Sequence, residues 1–210
     1  MKHALALSPC DSGLTALLTA AQASAAPYEH DGFFFRGEVG WSYLTSSIAS
    51  NEPGKTLKLS ANGSSAGAGF FFGGTPAPGL VVGGAATGSN TVHPSVKVDG
   101  VSRTDDDTRV LLLLVGPFLH YYPILTEGLH FGLTVGFATL TAETDARSLD
   151  GGDNGFGISG TFGYDFWVGR EWSLGLAGRL TFARVKKSAD GVDETATAWS
   201  PAVLFAFTYH

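Results

Sequence analysis

Two arginines and two acidic residues have the types and positions that a buried charged site would need. Arg36 and Glu38 stand two residues apart in "FFFRGEVGW", and Asp165 and Arg179 occur in two later segments with the same alternation. All four fall on the small and polar side of that alternation. Because an unpaired buried charge is strongly destabilising, we expect them to pair as a structural network inside the protein. A water-lined path for small solutes and a catalytic arrangement are the alternatives.

Other candidate groups give weaker signals. His120 and His130 flank a short turn, where they could lie near each other as interfacial polar residues or hold a metal. The run "TDDDT" at 104–108 could bind divalent cations that bridge lipopolysaccharide, or be a solvated loop. The sequence contains no HExxH motif, and no trio of serine, histidine and acid emerges at one place. We therefore predict no catalytic residue, no metal and no cofactor.

The segments that carry these residues have the period of β-strands. After residue 32 the apolar pattern repeats every two residues rather than every 3.6. It predicts an all-β fold with strands at 33–45, 63–74, 80–88, 108–122, 129–142, 155–168, 172–186 and 196–209. Short connections at 75–79, 123–128 and 169–171 alternate with longer ones at 46–62, 89–107, 143–154 and 187–195. This alternation predicts an eight-stranded antiparallel up-and-down transmembrane barrel, with short periplasmic turns and longer external loops.

Three features predict that the apolar face of this barrel points outward. The opposite face is rich in glycine, serine, alanine and threonine, and only 15% of the residues are charged, whereas soluble surfaces are about a quarter to a third charged. An eight-stranded barrel is just wide enough for its inward side chains, so large aromatic residues would overfill it. Aromatic residues also stand ten positions apart in three strands, which is roughly 33 Å of strand and about 25 Å of height when tilted.

The outward assignment predicts a lipid-facing aromatic girdle around a narrow polar lumen. Its members are Phe35, Trp41, Tyr43, Phe156, Phe166, Trp172, Phe182, Trp199 and Tyr209. The strand "RVLLLLVGPFLHYY" at 109–122 is apolar on both faces and cannot be oriented from its pattern. A soluble lipid-binding barrel, with its apolar face inward, is the competing interpretation.

Composition and the first residues bound the remaining possibilities. The net charge of −6 over 210 residues argues against a nucleic-acid partner, which needs a basic footprint. No stretch holds 18 consecutive apolar residues, so a transmembrane helix is not expected. Residues 1–26 are predicted to be a signal peptide, with Lys2 and His3 before an apolar stretch at 13–21. This leader holds Cys10, the one cysteine, and residues 27–210 are predicted to form a single barrel domain.

The leader, the eight alternating strands and the closing "AVLFAFTYH" resemble the small outer-membrane barrels of Gram-negative bacteria, the OmpX/OmpW-like group. Phe205, Phe207 and Tyr209 resemble the C-terminal assembly signal of that group, although His210 follows them. The resemblance implies export to the outer membrane, insertion by the outer-membrane assembly machinery and contact with lipopolysaccharide. It rests on no catalytic motif, and we predict no enzymatic activity.

A structural or surface-interaction role is then expected. The alternative functions are a porin-like channel or conduit for small hydrophobic molecules, in which the leucine-rich fourth strand would line the lumen, and a lipid-modifying enzyme.

Overall fold

The computed structural model describes residues 32–52, 55–92, 94–98, 101–104, 108–144, 147–148, 153–189 and 192–210. The predicted signal peptide and the three aspartates of the run "TDDDT" lie outside these residues. The described chain forms β1 (Gly32–Glu52), β2 (Lys55–Ala77), β3 (Leu80–Val92), β4 (Ser95–Val98), β5 (Val101–Thr104), β6 (Thr108–Tyr121), β7 (Leu129–Thr144), β8 (Arg147–Ser148), β9 (Asp153–Trp167), β10 (Trp172–Ala189) and β11 (Val192–Tyr209). The described residues contain no helix that is long and apolar enough to cross a membrane.

Eight long strands form one closed antiparallel sheet. β1, β2, β3, β6, β7, β9, β10 and β11 each pair with the next long strand along the chain. The sheet closes because β1 pairs both with β2 and with β11, from Phe35 opposite Tyr209 to Ser50 opposite Glu194. The predicted fold class, an eight-stranded up-and-down barrel, is confirmed.

Three of the predicted external loops are mostly strand, and one of them, at 89–107, holds the end of β3 and the short strands β4 and β5. β1 and β2 stay paired as far as Glu52 opposite Lys55, and β10 and β11 as far as Ala189 opposite Val192. The predicted loops at 46–62 and 187–195 were therefore drawn too long. The reason is that a ladder of backbone hydrogen bonds continues through polar residues, whereas the sequence pattern reports only where one face turns apolar.

The short turns close the other end of the barrel. Gly79 has a φ of 73°, a left-handed conformation that glycine adopts without steric cost, and it links β2 to β3. The backbone N–H of Tyr122 in the next short turn donates to the carbonyl of Gly79 at 2.7 Å. The two turns therefore support each other across the barrel rim.

Side chains alternate between an exposed exterior and a buried interior, as the outward assignment requires. Phe162 is 56% exposed, and its neighbour Thr161 is 7% exposed. β6, which the sequence could not orient, turns Val110, Leu112 and Leu114 inward. The exposed aromatic side chains, such as Phe162, do not fit the soluble-barrel interpretation, in which they would point into the lumen.

The interior has three levels, and the predicted narrow polar lumen is the middle one. An outer apolar tier lies toward the long hairpins and consists of Leu44, Val110, Leu112, Leu114, Ala138, Leu140, Ala183, Val185, Ala196 and Ala198. A charged level follows it. A basal apolar cluster lies near the short turns and consists of Phe34, Phe71, Val81, Ala85, Phe118 and Tyr122. β6 contributes to both apolar levels because its inward positions are apolar at both ends.

Cysteine labelling tests the facing of the strands. In a Cys10→Ser background, Phe162→Cys in lipid vesicles should react with a membrane-soluble maleimide and resist a water-soluble one. Thr161→Cys should react slowly with the membrane-soluble reagent because it lies inside the wall. Rapid labelling of Phe162→Cys by the water-soluble reagent, with Thr161→Cys fully shielded, would contradict an outward apolar face.

Candidate functional site: the buried charge network

Arg36 is the centre of a charge network that spans the middle of the barrel. Its Nε donates to Glu38 Oε1 at 2.8 Å. Its Nη1 donates to both carboxylate oxygens of Asp165, at 2.9 and 2.7 Å, and to the hydroxyl of Thr208 at 2.9 Å. The guanidinium and both carboxylates are almost fully buried. Charge-assisted bonds of this kind are shorter and stronger than neutral ones, so the network holds β1, β9 and β11 together from inside.

Arg179 extends the network toward β2 and β3. Its Nη1 donates to Glu38 Oε2 at 3.0 Å. Its Nη2 donates to the backbone carbonyls of Ala68 at 2.9 Å and Gly88 at 3.4 Å. Glu38 therefore bridges two arginines, with one carboxylate oxygen for each. The four predicted charged residues are brought together, and their two positive and two negative charges balance.

The carboxylate of Asp165 joins this network to residues of the short-turn end. The Tyr122 hydroxyl donates to Asp165 Oδ2 at 3.1 Å. His130 Nδ1 lies 3.5 Å from the same oxygen and 3.1 Å from the carbonyl of Gly128. Tyr122, Thr208 and His130 were not among the predicted network residues. The inside–outside alternation along the strands could have predicted that these residues point inward. Their residue types alone did not suggest it.

Two glycines make room for the charged groups. A Cβ at Gly69 would lie 2.7 Å from Arg179 Nη1 and 3.2 Å from Glu38 Oε2, and a Cβ at Gly175 would overlap the carboxylate of Asp165. The strand registers explain these contacts, because Gly69 lies opposite Glu38 and Gly175 opposite Asp165. Each glycine is thus a cradle into which a neighbouring side chain folds.

Replacing one cradle glycine should destabilise the barrel. Gly175→Ala should lower the free energy of unfolding by about 1–3 kcal/mol, because overpacking would displace Asp165 from Arg36. Gly178→Ala, on the same strand, is the matched control, since the nearest atom to its added Cβ would be 3.9 Å away. Urea unfolding in lipid vesicles measures both variants, and equal stability of the two would contradict the cradle assignment.

Aromatic rings fill the barrel below the network. The rings of His120 and His130 stack with centroids 5.6 Å apart, so the two histidines lie together as the sequence suggested. His120 also contacts Phe71 and Phe118, at 5.1 and 5.0 Å between centroids. Within the described ranges, no group of three or more histidines, cysteines and carboxylates is arranged to hold a metal ion. These rings close the short-turn end of the lumen.

His210 lies inside the barrel rather than on its surface. Its ring contacts that of Trp167 in a tilted arrangement, with 4.7 Å between centroids, and its Nε2 lies 3.0 Å from the Ser173 hydroxyl. Both Ser173 and His210 are buried. A substrate therefore has no access to this serine–histidine pair, which acts as packing.

The predicted girdle and assembly residues all lie on the outer face. Neighbouring strands bring aromatic rings together there: Phe35 with Phe207 at 5.5 Å, Trp172 with Tyr209 at 5.1 Å and Phe182 with Trp199 at 4.6 Å between centroids. The outward faces also carry Trp41, Tyr43, Phe156, Phe166 and Phe205. Their contact with lipid and their recognition during assembly remain predictions.

Removal of one network cation should be costly. Arg179→Met leaves one oxygen of buried Glu38 without its partner, and we expect a loss of about 3 kcal/mol in the free energy of unfolding. Arg170→Met, which removes an exposed arginine from a short turn, should change it by less than about 0.5 kcal/mol. Tryptophan fluorescence during urea unfolding measures the free energy of unfolding of both variants. Similar losses would show that burial of the Arg179–Glu38 ion pair does not matter.

The architecture resembles that of known outer-membrane proteins. The outer-membrane protein OprG from Pseudomonas aeruginosa has 15% sequence identity, with 88% of this chain and 99% of OprG covered, at a TM-score of 0.55. The outer-membrane protein AlkL, solved in lipid bilayers, has 10% identity, with 100% and 97% covered, at a TM-score of 0.50. No curated protein sequence matches the chain.

These likenesses define the class of fold, a small outer-membrane β-barrel. The chain belongs to the family described as "Putative MetA-pathway of phenol degradation", which matches residues 40–210.

Proposed function

We propose that this protein is a non-enzymatic barrel of the bacterial outer membrane whose outer lumen takes up small hydrophobic molecules that carry a polar group. The observation that carries the proposal is the outer apolar tier, which lies inside a barrel that is also apolar outside. Outer-membrane barrels ordinarily have a polar interior. Here, Leu44, Leu112, Leu114 and Leu140 converge from three strands instead.

The outer face supports a location in the membrane. Phe70, Leu133, Phe162, Leu176 and Val203 are all more than one third exposed and come from five strands around the barrel. Soluble monomers seldom expose contiguous apolar surface beyond a few hundred Å². A closed sheet also satisfies its backbone groups internally, which is required in hydrocarbon.

A ring of hydroxyl groups lies directly below the outer apolar tier. Ser89 on β3 and Ser200 on β11 face each other across the lumen at 2.7 Å, and Ser159 bonds to Thr181 at 2.9 Å. The hydroxyl of Ser42 is buried and has no hydrogen-bond partner within the described structure. A ligand with an apolar ring and one hydroxyl could place the ring among the leucines and the hydroxyl on this floor, because a buried polar group needs a partner.

The family description supports this choice of ligand, since phenol is a ring with one hydroxyl. The levels beneath the floor argue against a simple aqueous pore. Arg36, Tyr122, Phe71 and His120 are fully buried side chains of the network and of the base. The lumen is therefore suited to a bound organic molecule rather than to free passage of ions.

Ligand titration of the detergent-refolded protein tests the proposal, with phenol and toluene as probes. Leu112→Asn should weaken binding of both about tenfold, because it removes apolar surface worth roughly 1–2 kcal/mol. Leu112→Met keeps an apolar wall of similar volume and should bind nearly as the wild type. Phenol should bind more tightly than toluene, and Ser42→Ala should reduce that preference.

Absence of any binding by a correctly folded wild type would overturn the uptake proposal. The filled interior would then favour the second candidate, a structural or surface-interaction role. In that case the Leu112 variants should differ in stability alone. Heat-modifiable gel mobility identifies folded protein in every sample.

A further inference from the structure

The outer face of β10 changes from apolar to basic at one level. Trp172, Leu174, Leu176 and Leu180 are exposed, and Phe182 packs on Trp199. The next two outward positions are Arg184 and Lys186, both exposed. The change occurs at the end of the strand that lies toward the long hairpins.

The position of this change matches the edge of a membrane. Trp172 and Phe182 are ten residues apart, which corresponds to about 25 Å along the membrane normal for a tilted strand. Arg184 and Lys186 follow by roughly 5 and 10 Å on the same basis. The headgroup layer is about 5–8 Å thick on each side of a bilayer, so both cations can reach it.

The described residues that lie opposite the two cations carry no charge. Arg184 lies opposite Phe156 and Thr197, and Lys186 opposite Asn154 and Thr195. None of these four partners is charged. No ion pair joins Arg184 or Lys186 to another described residue.

We propose that Arg184 and Lys186 form a binding site for the phosphate group of an outer-leaflet lipid headgroup. Two cations at alternate positions of one strand lie about 6–7 Å apart, a separation that lets both long side chains converge on one phosphate. Arginine offers two parallel donors to phosphate oxygens, and lysine adds a point charge. The aromatic pair beneath them, Phe182 and Trp199, would contact the first segment of the acyl chains.

This inference rests on the membrane location in the proposed function and is independent of ligand uptake by the lumen. Native mass spectrometry of the detergent-refolded protein can test it by counting bound lipid. The probes are bisphosphorylated lipid A, the same lipid without its phosphates, and inorganic phosphate. Correct folding and the need for detergent are checked separately by heat-modifiable mobility, so a failed membrane location is distinguished from a failed site.

Each cation near an anionic surface contributes about fivefold to binding. Arg184→Gln with Lys186→Gln should therefore lower affinity for the phosphorylated lipid by roughly thirtyfold. Arg170→Gln, which removes an exposed cation at the opposite end, should bind as the wild type. Thr195→Lys, which adds a cation beside Lys186, should raise affinity about fivefold. The dephosphorylated lipid should bind all variants alike.

Three results would overturn the proposal. The double variant could bind phosphorylated lipid as tightly as the wild type. Arg170→Gln could lose as much affinity as Arg184→Gln, which would indicate a general effect of charge. Inorganic phosphate could displace the lipid at equal concentration, which would assign the site to free phosphate.

Discussion

The antiparallel pairing of β1 with β11 closes the sheet, and this closure fixes the direction of every side chain in the wall. Backbone N–H and C=O groups at an open edge would have no partner in hydrocarbon. Once the first and last long strands are joined, successive residues must alternate between inside and outside. Arg36 then has to be inside because Phe35 is outside, and the same parity sends Asp165 and Arg179 to meet it.

The four charged side chains are directed into the barrel, where they are buried and pair with one another. Desolvated charges are tolerated when each has an oppositely charged partner. Glu38 accepts from two arginines, and Asp165 accepts from Arg36 and Tyr122. These bonds join residues as far apart in sequence as 36 and 208. The network thereby separates the outer apolar tier from the aromatic rings of the base.

Sequence reasoning identified the eight long strands and their outward face, because these follow from a period of two and from composition. The charged residues were found for the same reason, since Arg36, Glu38, Asp165 and Arg179 interrupt a row of small inward residues. Gly175 was missed because its role depends on which residue of β9 lies opposite it. The sequence of one strand does not reveal its register with the next strand. The apolar tier was anticipated only within an alternative function, because the two faces of β6 are alike in sequence and do not show which one points inward.

The basic positions on β10 illustrate a further limit of a pattern-based reading. Arg184 and Lys186 look like ordinary surface residues in the sequence. Their proposed role in lipid binding follows from their height along the barrel axis, directly beyond the aromatic pair Phe182 and Trp199. That level is known only after the strands are tilted and paired.

β6 is apolar on both faces, so its own sequence does not specify its register with the neighbouring strands. In most strands a shift of one residue would expose the inner row to lipid and bury the outer one, at a large cost. A one-step slip of "VLLLLV" exchanges leucine for leucine over much of its length. Its correct alignment must come from the neighbours β3 and β7, and from His120, whose buried ring contacts Phe71 and Phe118. β6 is thus the strand of this barrel that depends most on templates already in place.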